Sequence, residues 1–185
     1  MVVPMLRPDV FGGLASHAGD ALFDVCYLGF GDVARQLRDK FESSYDVLFE
    51  RLAASDHMDW DTFGQPVEYY GYASCYSPDP LNPGKALLPF EIETGRIVDE
   101  VWEQWLDWDP VRMAPRHADA LRSMRRVYLD AGRSDEYFLD LGAQAFSQEL
   151  DKLGVEHTLE LFEGKHGGLT YRYPGAIREL VLALR

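Results

Sequence analysis

The sequence predicts an α/β fold built on a short parallel sheet, and three observations predict it. A strand–helix–strand pattern runs from Val127 to Phe162. An earlier β-like stretch, Val10 to Ser16, offers a further strand. An aspartate and a histidine, Asp135 and His166, stand just past the two later strands. In a parallel sheet that rim is where ligand sites gather.

In chain order, Met1 to Leu6 is apolar, with Pro4 where only a first helical turn tolerates it. Arg7-Pro8-Asp9 is a break. Val10 to Ser16 reads as a strand weakened by Gly12 and Gly13. His17 to Asp20 would form the loop at its carboxyl end, so Ser16 and His17 are expected on the rim. Residues 21 to 124 read as a mostly helical, aromatic-rich insertion within one domain spanning 1 to 185. Val33, Leu37, Phe41, Leu48, Phe49 and Leu52 supply its first apolar faces. Ser55 to Asp61 mixes acids with His57 but lacks helical ligand spacing, so it reads as an acidic surface turn. Tyr69 to Tyr76 reads as an extended segment or a helix end. Ser77 to Gly84 is a long turn, and Leu87 to Ile92 is extended. Ile97 to Leu106 reads as a helix with Val98, Val101, Trp102 and Trp105 on one face, and Ala114 to Met124 as another.

Val127 to Leu129 then form a buried strand before a glycine. Ser134 and Asp135 are N-cap types. Phe138, Leu141, Gly142, Ala145, Phe146, Leu150 and Leu153 recur as one helix face, which Gly154 ends. Thr158 to Phe162 is the next strand. A connection of this length makes the two strands parallel. Adjacent strands lie about 4.8 Å apart, so Asp135 and His166 can meet. A carboxylate on one imidazole nitrogen fixes the tautomer and leaves the other nitrogen as a base. Gly167 and Gly168 are expected to allow close backbone approach. Pro174 starts a last helix through Ile177, Leu180, Val181 and Leu184.

Composition narrows the function. The net charge of −13 argues against nucleic acid or an anionic membrane as partner. Two cysteines, Cys26 and Cys75, read as reduced buried thiols rather than a disulfide framework. No apolar run reaches membrane-spanning length, and no secretion signal is read, so a cytoplasmic address is expected. No cofactor or metal is implied.

Asp130-Ala-Gly-Arg-Ser-Asp-Glu-Tyr137 followed by Gly164-Lys-His-Gly-Gly168 resembles the acid and histidine segments of α/β-hydrolase putative esterases. That branch includes esterase D (S-formylglutathione hydrolase) and enterochelin-esterase-like proteins. Met5 to Asp20 is similar to its segment after the nucleophile elbow. Tyr76 to Pro80 and Pro89 to Gly95 are similar to its insertion. The resemblance implies a partial α/β-hydrolase fold of about three parallel strands with flanking helices. It implies Asp135 as triad acid and His166 as triad base. The family's Gly-x-Ser-x-Gly is absent, so the chain resembles the C-terminal half only.

These readings lead to a serine-type carboxylic-ester hydrolase for small soluble esters, with an incomplete Ser-His-Asp site. Ser16 is its candidate nucleophile, and His17 and Tyr171 are candidate substrate contacts. The alternatives are an inactive fragment serving as a binding module and a truncated gene product. An open, apolar edge at Val10 to Ser16 predicts a homodimer or larger oligomer.

Overall fold

The computed structural model describes residues 1–185. With helices and strands numbered in chain order, it begins with α1 (Val2–Leu6), β1 (Gly13–His17) and α2 (Phe23–Cys26). Helices α3 (Phe30–Phe41), α4 (Tyr45–Ala53), α5 (Gln65–Tyr76) and α6 (Asp99–Leu106) follow. Then come α7 (Pro110–Met113), α8 (Ala118–Arg122), β2 (Arg126–Gly132), α9 (Leu139–Leu153), β3 (Thr158–Phe162) and α10 (Tyr173–Ala183). The chain divides into two compact units: residues 1–26 with 107–185, and residues 27–106.

The first unit holds a three-stranded parallel sheet in the order β1-β2-β3, flanked by helices. This is the mixed, parallel architecture expected. β3 has the bounds expected of it, Thr158–Phe162, while β1 and β2 are displaced from theirs. β1 starts at Gly13 rather than Val10, because its ladder on β2 begins with Gly13 opposite Arg126. β2 runs on to Gly132, because β3 supplies a partner as far as Phe162.

Side chains alternate across a sheet, so each face has its own composition. Leu14, Val127 and Leu129 meet Phe146 and Leu150 of α9, Met5 of α1 and Leu121 of α8 in one apolar core. The opposite face carries His17, Arg126, Tyr128, Asp130 and Glu160, and α10 crosses it over β1 and β2. Arg126 there donates to Glu179 of α10 at 2.8 Å and to Thr158 of β3 at 2.6 Å.

Helix α9 starts later than its pattern suggested. Phe138 is the N-cap, in a left-handed conformation with φ 61°. Phe138 and Leu141, expected on the buried face, are therefore exposed. Asp135, not Ser134, accepts the first amides: its Oδ1 takes the N–H of Tyr137 at 2.9 Å and of Leu139 at 3.4 Å. The Ser134 amide instead donates to Gly164 at 2.9 Å. At its far end, the Ser147 hydroxyl donates to Nε2 of His157 at 2.6 Å, while Nδ1 of His157 donates to the Val155 carbonyl at 2.9 Å.

The second unit is helical. Tyr69 to Tyr76 lies wholly inside α5, and Phe30, Trp102 and Trp105 pack at edge-on ring contacts. α6 begins at Asp99, so Val98 precedes the helix rather than sharing its face. The hydroxyl of buried Ser77 donates to the Leu87 carbonyl at 2.7 Å and accepts from Nε1 of Trp105 at 2.9 Å. Leu87 to Ile92 forms no strand, only an isolated bridge from Phe90 to Ile97. Back in the first unit, Ala114 to Met124 is broken into a 3-10 turn and the short α8, as Pro115 demands. Both cysteines are free, and Cys75 is exposed rather than buried. Burial pushes the Cys26 thiol up from its ordinary value. No helix is long and apolar enough to cross a membrane.

Candidate functional site

Two segments leave the carboxyl rim and meet. Arg133 at the end of β2 donates its amide to Phe162 at 2.8 Å, which with the Ser134–Gly164 bond ties the turn after β2 to the turn after β3. Gly132 makes this possible: a Cβ there would sit 2.4 Å from the Gly164 carbonyl oxygen and 2.8 Å from that of Lys165. The close approach is thus at Gly132. A Cβ on Gly167 or Gly168 would meet nothing within 4 Å, which corrects the expectation for that pair. Gly168 is required for a different reason, its φ of 77°.

The result is the expected carboxylate–imidazole pair. Nδ1 of His166 donates to Oδ2 of Asp135 at 3.3 Å. A carboxylate only accepts, so the proton sits on Nδ1 and the lone pair of the neutral ring on Nε2. The Asp135 side chain is fully buried, while that of His166 is 42% exposed. The ring edge of Tyr137 meets the His166 imidazole at a centroid distance of 5.1 Å. The His166 amide donates to Glu136 at 3.1 Å, and this bond is the main cause holding that carboxyl below its ordinary value. Only Nδ1 of the partly exposed His166 ring is hydrogen-bonded, which leaves Nε2 without a partner.

Ser16 is not joined to this pair. It stands opposite Leu129, three residues before the end of β2. At about 3.3 Å per residue, that is roughly 10 Å below the rim. Its side chain lies on the sheet face of Leu14 and against Gly19, and it makes no hydrogen bond. Tyr171 is exposed, ending a 3-10 turn, with its ring 6.4 Å from that of Phe162.

His17 belongs to a second carboxylate–imidazole pair, tighter than the first. Its Nδ1 donates to Oδ1 of fully buried Asp130 at 2.8 Å. Oδ2 of Asp130 accepts from Nε of Arg172 at 2.6 Å and from the Tyr128 hydroxyl at 3.1 Å. Arg172 also donates to the Tyr128 oxygen at 3.0 Å and pairs with Glu160, and its guanidinium lies 4.2 Å over the Phe162 ring. Burial alone would lower the Arg172 pKa, but the bonds to Asp130, Tyr128 and Glu160 raise it above its ordinary value. The Tyr128 phenol is pushed up by burial and by Glu160. The Tyr173 ring covers His17 at 4.8 Å.

Sequence reasoning missed Asp130, Tyr128, Glu160 and Arg172. The signal was present: in β2 Arg126, Tyr128 and Asp130 alternate with Val127, Leu129 and Ala131. Such alternation marks one polar face even in a buried strand. No group of three or more His, Cys, Asp or Glu side chains is arranged to hold a metal ion. A scan against protein-family models and a search of the curated proteins found no match to this chain.

Proposed function

We propose that the chain is a carboxylic-ester hydrolase of the α/β-hydrolase type, acting on small soluble esters through an incomplete Ser-His-Asp site. The observation that carries this reading is the Asp135–His166 pair, with a buried acid, a fixed tautomer and an unpartnered Nε2 on a partly exposed ring. A base of this kind takes a proton from the attacking oxygen and later returns it to the leaving group. With no serine hydroxyl bonded to Nε2, the attacking oxygen is that of water. His166 accepts its proton as the oxygen adds to the ester carbonyl carbon. The bond from that carbon to the alkoxy oxygen then breaks, and the imidazolium protonates the departing alkoxide. Asp135 stabilises the imidazolium between these steps.

Attack by Ser16 is the serine version of the same chemistry and would form an acyl-enzyme. It requires Ser16 to leave its position opposite Leu129. A second reading, a binding module without catalysis, is favoured by the one observation that no serine is bonded to His166.

Turnover of a short-chain p-nitrophenyl ester tests all three. Under the water mechanism, His166→Ala loses about 100-fold or more in kcat/KM, and Ser16→Ala keeps the wild-type rate. Loss in both variants, each folded, would give the attack to Ser16. A wild-type rate no greater than that of His166→Ala would end the hydrolase reading and leave the binding module.

A further inference from the structure

The geometry points to the free edge of β1 as a two-fold interface that pairs with β1 of a second copy of this chain. This inference does not depend on the hydrolase reading. Ala18 donates its amide to Asp130 and Gly12 accepts from Arg125, so the even-numbered residues of this stretch turn toward β2. Gly13, Ala15 and His17 turn their backbone N–H and C=O away from the sheet, where none of them has a partner. Edges left open in this way are usually blunted by charge, proline or a bulge. β1 reads Gly-Leu-Ala-Ser-His and has none of these.

A second copy fits this edge because the edge is complementary to itself. A two-fold axis makes the pairing antiparallel and isologous. Centred on Ala15, it sets Ala15 against its own copy as a hydrogen-bonded pair, and Gly13 against His17 on either side. The three outward residues are all matched. Small faces small at the centre, and the smallest residue faces the imidazole. No like charges stand opposite each other.

The helices above the edge fit the same axis. α10 crosses β1 and β2. Strand spacing then puts the two copies of α10 about 9.6 Å apart across the seam. Packed helices lie about 8–10 Å apart. The outward side of α10 is prepared for a neighbour, since Ile177, Val181 and Leu184 recur on one helix face and are 45–58% exposed. Val10 and Phe11 add to this surface beside Gly12, which Leu184 touches. On the other sheet face, α1 buries Met5 against Leu14 and leaves Val3 and Leu6 outward. Seven such side chains, each about half exposed, leave on the order of 500 Å² of apolar surface. A standard interface of about 800 Å² per partner needs roughly 500 Å² of it apolar. The product is one continuous six-stranded sheet.

Light scattering on the full chain at micromolar concentration is expected to give twice the 21.1 kDa mass of one copy. The double variant Ile177→Glu, Val181→Glu and the single variant Ala15→Pro are each expected to weaken the dimer at least 100-fold. The first breaks the helix seam and the second the strand pairing. Hydrogen exchange reads the same edge in the unmutated chain, where the amides of Gly13, Ala15 and His17 are expected to be protected. A 21.1 kDa wild type overturns the inference. So does a dimer that keeps its affinity in either variant, or one whose three edge amides exchange freely.

Discussion

Asp135 serves two structures with two oxygens. Oδ1 closes the turn into α9 through the amides of Tyr137 and Leu139, and Oδ2 holds the His166 ring. The helix-capping and the histidine-orienting role do not compete, because a carboxylate has lone pairs enough for both. Other residues show what a missing partner does. The hydroxyl of Tyr45 is buried without a hydrogen bond, and burial also pushes its pKa up. A buried unsatisfied polar group costs about 1–3 kcal/mol. Tyr45→Phe keeps the ring, which packs on Tyr70 at 4.7 Å, and removes the cost. We expect the variant to be more stable by about 1 kcal/mol in urea unfolding. A less stable variant would mean that the hydroxyl is satisfied in solution.

At the scale of elements, the segment from Glu163 to Arg172 governs the site. It is held at one end by Gly132, which lets it cross the end of β2, and at the other by Arg172 on Asp130. His166 lies between these anchors. A comparable tie joins the turn before α2 to the start of α7. Oδ1 of Asp109 accepts from Leu22 at 2.9 Å and Val111 at 3.0 Å, and Oδ2 from Phe23 at 3.0 Å. Burial nonetheless raises the Asp109 pKa from its ordinary value, outweighing the three bonds that lower it. The folded state therefore binds this proton more tightly than the unfolded state does. The group's contribution to stability falls as pH rises from about 4 through the raised value. Asp109→Asn cannot titrate and loses one acceptor, at a cost of about 1–3 kcal/mol. In urea unfolding between about pH 4 and pH 7, the advantage of wild type over Asp109→Asn is expected to shrink as pH rises. A constant gap would show that Asp109 does not carry the shift.

At the scale of the whole chain, the excess of 31 acidic over 18 basic side chains opposes compaction. The ion pairs that offset it are mostly exposed, such as Arg7–Asp9 and Arg122–Asp119, and pairs of that kind contribute about 0–1 kcal/mol. Repulsion summed over the chain is expected to outweigh them. Raising sodium chloride from about 20 mM to about 0.5 M is expected to lift Tm by about 2–4 °C. A fall in Tm would give the larger part to the ion pairs.

The sequence by itself determined the strand–helix–strand unit, its parallel sense and the meeting of Asp135 with His166. Each follows from local periodicity, connection length and the rule that parallel strands end on one rim. Only the tertiary structure decided that His17 is held by Asp130, that Arg172 belongs to the same network and that Ser16 stands below the rim. The place of Arg172 depends on the return of the chain after β3 onto Asp130 and Tyr128, and those of His17 and Ser16 on the register of β1 against β2, across a separation of more than a hundred residues. Local pattern carries no information about that register. It is set by which ladder buries Leu14, Val127 and Leu129 together while bringing His17 level with Asp130.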